Sequence, residues 1–367
     1  MVKPIVIAAG GTGGHFFPAE ALASELVARG QRIALMTDAR SGGLASTVFA
    51  GRERFVLRGA GIAGRGVLRG AQAALALAAG VAQARAVLAR IDAAAVVGFG
   101  GYPSVAPALG ARLMRRPPSV ILHEQNAVLG RANRFLAFQS TALALSFETT
   151  ERVPETAQTV LTGNPVRGTI AAIADQTYMP PGETIRLLVL GGSLGARVFS
   201  DVVPAALAAL LDGLRARLSV VQQCRAEDVE RVRAAYAASG IAAELATFFP
   251  DVADRLATAS LVIARAGAST VAELAAAGRP AILVPLPGAI DDHQSANARA
   301  LADAGAAWTM PQPGFTSAAL AARLAELLDD PASLTRAAAA ARGQARIDAA
   351  ARLADLVEAL MKQETRA

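Results

Sequence analysis

The chain has 367 residues, 53% of them hydrophobic, with a formal net charge of +6, one cysteine and only 4% aromatic residues. This length predicts two α/β domains with ample apolar material for their cores. The lone Cys224 excludes an internal disulfide, the few aromatics argue against a base-stacking surface for nucleic acid, and the positive balance points to anionic partners such as nucleotides or an acidic lipid surface.

In chain order, Ile5–Ala9 reads as a strand that leads straight into Gly10-Gly11-Thr12-Gly13-Gly14-His15, not into a signal-peptide cleavage site. Ala19–Arg29 predicts a helix and Arg32–Thr37 a second strand, followed by Asp38. Arg52–Arg90 carries seven arginines against one acid, Glu53. It passes through the glycine-rich stretch Gly59–Gly66 into an Ala/Leu-rich helix over Ala71–Arg90. Gln72, Gln83 and Arg85 interrupt that apolar run, so any membrane contact is expected to be peripheral. Ala94–Val97 predicts a strand before Gly98-Phe99-Gly100-Gly101. Val120–Leu122 predicts another before His123-Glu124-Gln125-Asn126, with a helix over Asn126–Phe138. Thr162-Gly163-Asn164-Pro165 closes this series. A second series has strands at Arg186–Leu190, Leu218–Gln222, Leu261–Ile263 and Ala281–Val284, and a helical stretch over Thr335–Lys362 ends it. The alternation predicts parallel sheets covered on both faces.

Three glycine turns stand between strand-like and helix-like runs: Gly10–His15, Gly191-Gly192-Ser193-Leu194-Gly195-Ala196-Arg197 and Ala266-Gly267-Ala268-Ser269-Thr270. Such turns offer backbone N–H groups and a helix N-terminus to an anion, so three of them predict a phosphate-bearing ligand held by two domains. The first misses the dinucleotide spacing because Phe16 occupies the third glycine position. Asp38 nevertheless stands where a nicotinamide enzyme keeps its ribose-binding acid, which leaves an oxidoreductase open on this segment. His15 is the first candidate for a general base, with Glu124 second. Asn126 reads either as part of a ligand site or as a helix cap. Glu273, one turn into its helix, suits a ribose or the helix dipole, and Gln294 in Asp291–Asn297 suits a sugar. The three histidines are too far apart in sequence to predict a metal site.

Taken together, GGTGGHFFPA (10–19), GFGGYPS (98–104), HEQNAVLGRAN (123–133), TGNPVR (162–167), GGSLGAR (191–197), GASTVAEL (267–274) and DDHQSANA (291–298) resemble the MurG family of N-acetylglucosamine transferases. The resemblance implies a GT-B fold: two Rossmann-like doubly wound domains facing across a cleft. An acceptor and membrane-side domain would take 1–164, a UDP-GlcNAc-binding domain 165–346, and the last helix, 347–367, would return to the first. It implies UDP-GlcNAc as donor, lipid I as acceptor, lipid II and UDP as products, and no cofactor or bound metal. It also implies peripheral attachment to the cytoplasmic face of the inner membrane and contact with other cell-wall synthesis proteins. Donor contacts carried over are Thr12, Gly13, Gly14, Asn126, Arg167, Ser193, Ala268, Ser269, Thr270, Val271, Ala272, Glu273 and Gln294, with Phe249 beside the uracil. Leu194 and Ala266 depart from the family pattern, which expects Gln and Ser there; the backbone donors survive both changes. A UDP-GlcNAc 2-epimerase or other sugar transferase of the same fold and a non-catalytic nucleotide sensor are the remaining readings.

Overall fold

A computed structural model of the chain describes residues 2–10, 13–38, 46–57, 67–193 and 195–366. They divide into two compact units, 1–167 with 348–367, and 168–347.

The first unit runs β1 (Ile5–Ala8), α1 (Gly13–Ala28), β2 (Ile33–Asp38), β3 (Arg54–Leu57), α2 (Val67–Ile91), β4 (Ala95–Gly98), α3 (Gly101–Arg112), β5 (Ser119–Glu124), α4 (Arg131–Leu136), β6 (Ala142–Leu145) and β7 (Thr159–Leu161). Its seven strands are parallel, in the order β3-β2-β1-β4-β5-β6-β7. Side chains alternate across a strand, and β1 shows the consequence. Ile5 and Ile7 join one core with Leu22 and Leu26 of α1, while Val6 and Ala8 join the opposite core with Ala84 and Leu88 of α2 and Val105 of α3. Both faces are therefore dry, which is why the strands read as continuous apolar runs.

The second unit runs α5 (Gly168–Ala171), β8 (Ile185–Leu190), α6 (Arg197–Ala208), α7 (Asp212–Arg215), β9 (Leu218–Gln223), α8 (Val229–Ala238), β10 (Ala242–Ala246), α9 (Val252–Thr258), β11 (Leu261–Ala264), α10 (Ala268–Ala277), β12 (Ala281–Leu283), α11 (His293–Asp303), β13 (Ala307–Thr309), α12 (Ser317–Asp329) and α13 (Pro331–Gly343). Its six parallel strands lie in the order β10-β9-β8-β11-β12-β13. The chain then returns as α14 (Ala349–Arg366), whose Leu353, Ala354 and Val357 are buried in the same core as Leu22 and Leu26 of the first unit.

Sequence and structure differ at several elements. α1 begins at Gly13, six residues before the expected start, and passes through Pro18 in its second turn, where the ring removes the N–H that would bond the Gly14 carbonyl. The helix expected over 126–138 is confined to α4 and a 3-10 turn, Ala137–Gln139. The helical stretch expected over 335–362 is two helices, α13 and α14. The basic segment 59–66 lies outside the described residues. Within α2, Gln72–Ile91 is long and apolar enough to cross a membrane by length and composition. Here it packs along α3, where Gly110 permits close approach: a Cβ at that position would stand 2.9 Å from the backbone nitrogen of Arg85.

Candidate active site

In each sheet the strand order reverses once, between β1 and β4 in the first unit and between β8 and β11 in the second. Ligands of open α/β sheets bind outside the carboxyl ends of the strands at such a point. The glycine segments that follow β1, β4, β8 and β11 therefore occupy the four strand ends flanking these two points.

In the first unit, α1 carries His15 in its first turn. The imidazole lies against the backbone of Gly100 and Gly101: a Cβ on Gly100 would stand 3.6 Å from His15 Cε1, and one on Gly101 3.6 Å from Nε2. Both glycines also have positive φ, at 79° and 65°, so a side chain there would be strained as well as crowded. His15 Nδ1 is 2.9 Å from Gln125 Oε1. Gln125 Nε2 is 2.9 Å from His123 Nδ1, and His123 Nε2 is 2.9 Å from the Gly163 carbonyl. His123 is fully buried, and burial pushes its pKa down to about 4. Arg167 belongs to this unit and stacks on Phe17, 5.1 Å from the ring centroid. Phe17 in turn closes over Gly13, where a Cβ would meet its ring at 2.8 Å.

Glu124, the second candidate base, is occupied inside the fold. Its Oε1 accepts from the backbone and side-chain nitrogens of Asn126, both at 3.0 Å, and its Oε2 from Gly130 N and Asn133 Nδ2, both at 2.9 Å. With the residue only 2% exposed, the carboxylate anchors the 126–130 loop. The same bonds explain why no helix starts at Asn126: its N–H and amide are drawn back to Glu124, and Leu129 pairs with Glu151. Asp38 is also buried, at the end of β2.

In the second unit Gly191 is demanded by the turn itself, since a Cβ there would collide with Ala196 N at 2.3 Å. Its N–H donates to Gln223 Oε1 at 3.1 Å, and Gln223 Nε2 donates to the carbonyls of Gly192 and Thr247. Gly195 N donates to Gly192 O. Not every N–H of this turn is thus open to an anion: those of Gly191 and Gly195 are used internally. The exposed Ser193 and the start of α6 remain. Neither α6 nor α10 has a side-chain cap at its N-terminus. Gly267 differs from Gly191 in having ordinary φ, −65°, and a Cβ there would meet nothing nearer than Thr270 Oγ1 at 3.8 Å. The fold does not force glycine there, whereas a ligand approaching the α10 N-terminus would.

Of the run 268–273, Ala268 and Val271 are buried in the unit, so only their backbone is presented; Ser269, Thr270, Ala272 and Glu273 are partly exposed. Gln294 Oε1 accepts from Leu286 N at 3.0 Å, which fixes its amide. The ring of Phe249 is not available to lie beside a base. It is 4% exposed and covered by the Arg255 guanidinium, 4.2 Å from its centroid; the neighbouring Phe248 is the exposed ring. Thr12 and Leu194 lie outside the described residues. Gln223 has a role that the sequence does not signal, as do two further residues. Arg265 ties β11 to the carbonyls of Val284 and Pro285 and to Gln312, and Asn297 donates to Ala266 O at 3.0 Å. Only their buried position marks them. Among the described residues no cluster of His, Cys, Asp and Glu could hold a metal ion.

Two Rossmann-like parallel-sheet units of this topology have the GT-B fold, and the second carries uncapped helix N-termini at its switch point. Residues 5–145 match the glycosyltransferase family 28 N-terminal domain and residues 186–355 its C-terminal domain. The UDP-N-acetylglucosamine–N-acetylmuramyl-(pentapeptide) pyrophosphoryl-undecaprenol N-acetylglucosamine transferase of Granulibacter bethesdensis is 65% identical, over 97% of this chain and 93% of its own. The transferase of the same description from Acidiphilium cryptum is 56% identical over 100% and 99%. The crystal structure of Acinetobacter baumannii MurG superposes with a TM-score of 0.78 at 30% identity, covering 97% of this chain and 99% of that one. The chain belongs to the MurG family of glycosyltransferases.

Proposed function

We propose that the protein transfers N-acetylglucosamine from UDP-GlcNAc to the muramyl 4-hydroxyl of undecaprenyl-pyrophosphoryl-MurNAc-pentapeptide, giving lipid II and UDP with inversion at the anomeric carbon. Family membership supports the reaction. The observation that carries the donor assignment is the pair of uncapped N-termini, α6 and α10, on adjacent strand ends of the second unit. The first N–H groups of a helix lack internal partners and carry partial positive charge, so they suit a diphosphate. As the sugar leaves, negative charge grows on UDP, and preorganised amides with the Ser193 hydroxyl are placed to meet it. The two oxygens of Glu273 would accept from the ribose hydroxyls, and the Gln294 amide would donate to the sugar. The backbone at Phe249 would border the uracil.

The first unit holds the acceptor in this reading. Its turn at Gly13-Gly14 faces the lipid diphosphate, and Arg167, stacked on Phe17, would add positive charge for the diphosphate of the leaving UDP. His15 removes the proton of the attacking hydroxyl; with Glu124 committed to its loop, no second base is needed. Large apolar groups are exposed on α2 to α4 and the turn after α4, Leu75, Leu113, Phe135 and Phe138, and the exposed arginines Arg112, Arg115 and Arg116 flank Leu113 in the chain. That composition suits peripheral attachment to an anionic bilayer, on the cytoplasmic face where the donor is found.

The test is UDP release with and without a short-chain lipid I analogue. Release that requires the acceptor supports transfer. Acceptor-independent release would favour a 2-epimerase, and tight donor binding without any release would favour a sensor.

A further inference from the structure

The chain of contacts from His15 to Gly163 has a direction, because each link ends on an atom that cannot exchange roles. The Gly163 carbonyl can only accept, so His123 Nε2 bears the hydrogen and the neutral ring has a bare Nδ1. Neutrality follows from full burial, which disfavours the imidazolium. The same end of the Gln125 side chain that meets His123 Nδ1 at 2.9 Å also lies 3.1 Å from the carbonyls of Phe99 and His123. Three acceptors around one end fix it as the NH2 group. The opposite end is then the oxygen, which can only accept, and it faces His15 Nδ1 at 2.9 Å. His15 must therefore donate through Nδ1. Its Nε2 takes no hydrogen bond from any described residue and lies at the start of α3, beside Gly101.

We propose that Gln125, held by the buried His123 and the Phe99 carbonyl, is a positioning residue that locks His15 in the Nδ1–H tautomer, so that a bare Nε2 is presented as the proton acceptor. An imidazole free in water favours the other tautomer, with the hydrogen on Nε2, in which the outward nitrogen could not act as a base. The function resembles that of the carboxylate in a Ser-His-Asp triad, where loss of the correct tautomer costs about 10⁴ in kcat. Here the acceptor is an uncharged amide, so the ring is oriented without a fixed negative charge next to the lipid diphosphate. The inference rests on the reading of His15 as base, but the tautomer itself can be read independently of turnover.

The experiment is a long-range ¹H–¹⁵N correlation spectrum of the full chain labelled at histidine, above pH 7.5, with the three histidines assigned from single substitutions. His15 is expected with the hydrogen on Nδ1 and His123 with it on Nε2. In Gln125→Met, of similar length but without an acceptor, His15 should shift toward Nε2–H. Its kcat should fall by at least about tenfold, and by no more than the hundred- to ten-thousand-fold of complete general-base loss, with KM for UDP-GlcNAc within about twofold. Gln125→Glu keeps an oxygen against Nδ1, so it should keep the Nδ1–H signature of His15 with a displaced pH profile, while its second oxygen, facing the carbonyls of Phe99 and His123, should lower stability. An Nε2–H His15 in the wild-type spectrum overturns the proposal, whatever the variants do. So does a Gln125→Met protein with unchanged tautomer and pH profile. Full turnover by His15→Ala would instead remove the base assignment while leaving the tautomer result standing, which separates the two failures.

Discussion

At the scale of single residues, the first unit shows how one buried polar strand end does several jobs. In His123-Glu124-Gln125-Asn126, Glu124 builds the loop, Gln125 faces His15, and His123 fills the core as a neutral ring. His123 also imposes a pH dependence on stability. Its folded pKa is about 4, below the roughly 6.5 of an unfolded histidine. Between these values the unfolded chain binds a proton that the native ring refuses. The contribution is therefore complete above about pH 6.5 and is lost as pH falls toward 4, at up to about 1.4 kcal/mol per pH unit. Urea unfolding at pH 7.5, 5.5 and 4.5 should show a steeper loss for the wild type than for His123→Gln; parallel losses would mean that His123 is not buried as a neutral ring. Sequence alone does not distinguish a carboxylate that meets substrate from one that anchors a loop. Both stand at a strand end, and the partner that decides, Asn133, lies nine residues away.

At the scale of elements, α14 illustrates where stability comes from. It joins α1 through Arg29, which contacts Asp355 and Glu358, and through Gln31 with Glu358. Asp355 is exposed and Arg29 and Glu358 are half-buried, and ion pairs in contact with solvent contribute little. Leu353 and Val357, fully buried against α1, contribute more. Leu353→Ala should cost about 2–5 kcal/mol, the usual range for a buried leucine that leaves a cavity, measured as a lower denaturation midpoint; a cost below about 0.5 kcal/mol would show that the helix is not docked. The glycine turns and central strands are legible in sequence because β1, β4 and β11 are buried throughout and β8 nearly so, and each strand meets a glycine at its end or within three residues of it. The edge strands β3, β7 and β10 are less legible: they are partly exposed and carry mixed composition. Gln223, Arg265 and Asn297 are invisible for another reason, since each acts on backbone carbonyls or amides that no side-chain motif records.

At the scale of the whole molecule, the two units share one topology and differ in what stands at the switch point. The first presents a histidine braced by an amide; the second presents two open helix ends. Membrane attachment belongs to this scale too. With a net charge of +6 and exposed arginines flanking the exposed Leu113, cosedimentation with anionic vesicles should be strong at low salt. It should weaken as the Debye length shrinks from about 30 Å at 0.01 M to about 8 Å at 0.15 M. Binding to neutral vesicles alone, or none at low salt, would contradict an electrostatic contribution. The most direct test of the central claim is the product itself. The protein is incubated with UDP-GlcNAc and a short-chain lipid I analogue, and the disaccharide linkage and UDP yield are determined by NMR and chromatography. Single displacement on the α-linked donor predicts a β-linked disaccharide and one UDP per linkage formed. An α-linked product, or UDP formed without disaccharide, would contradict it.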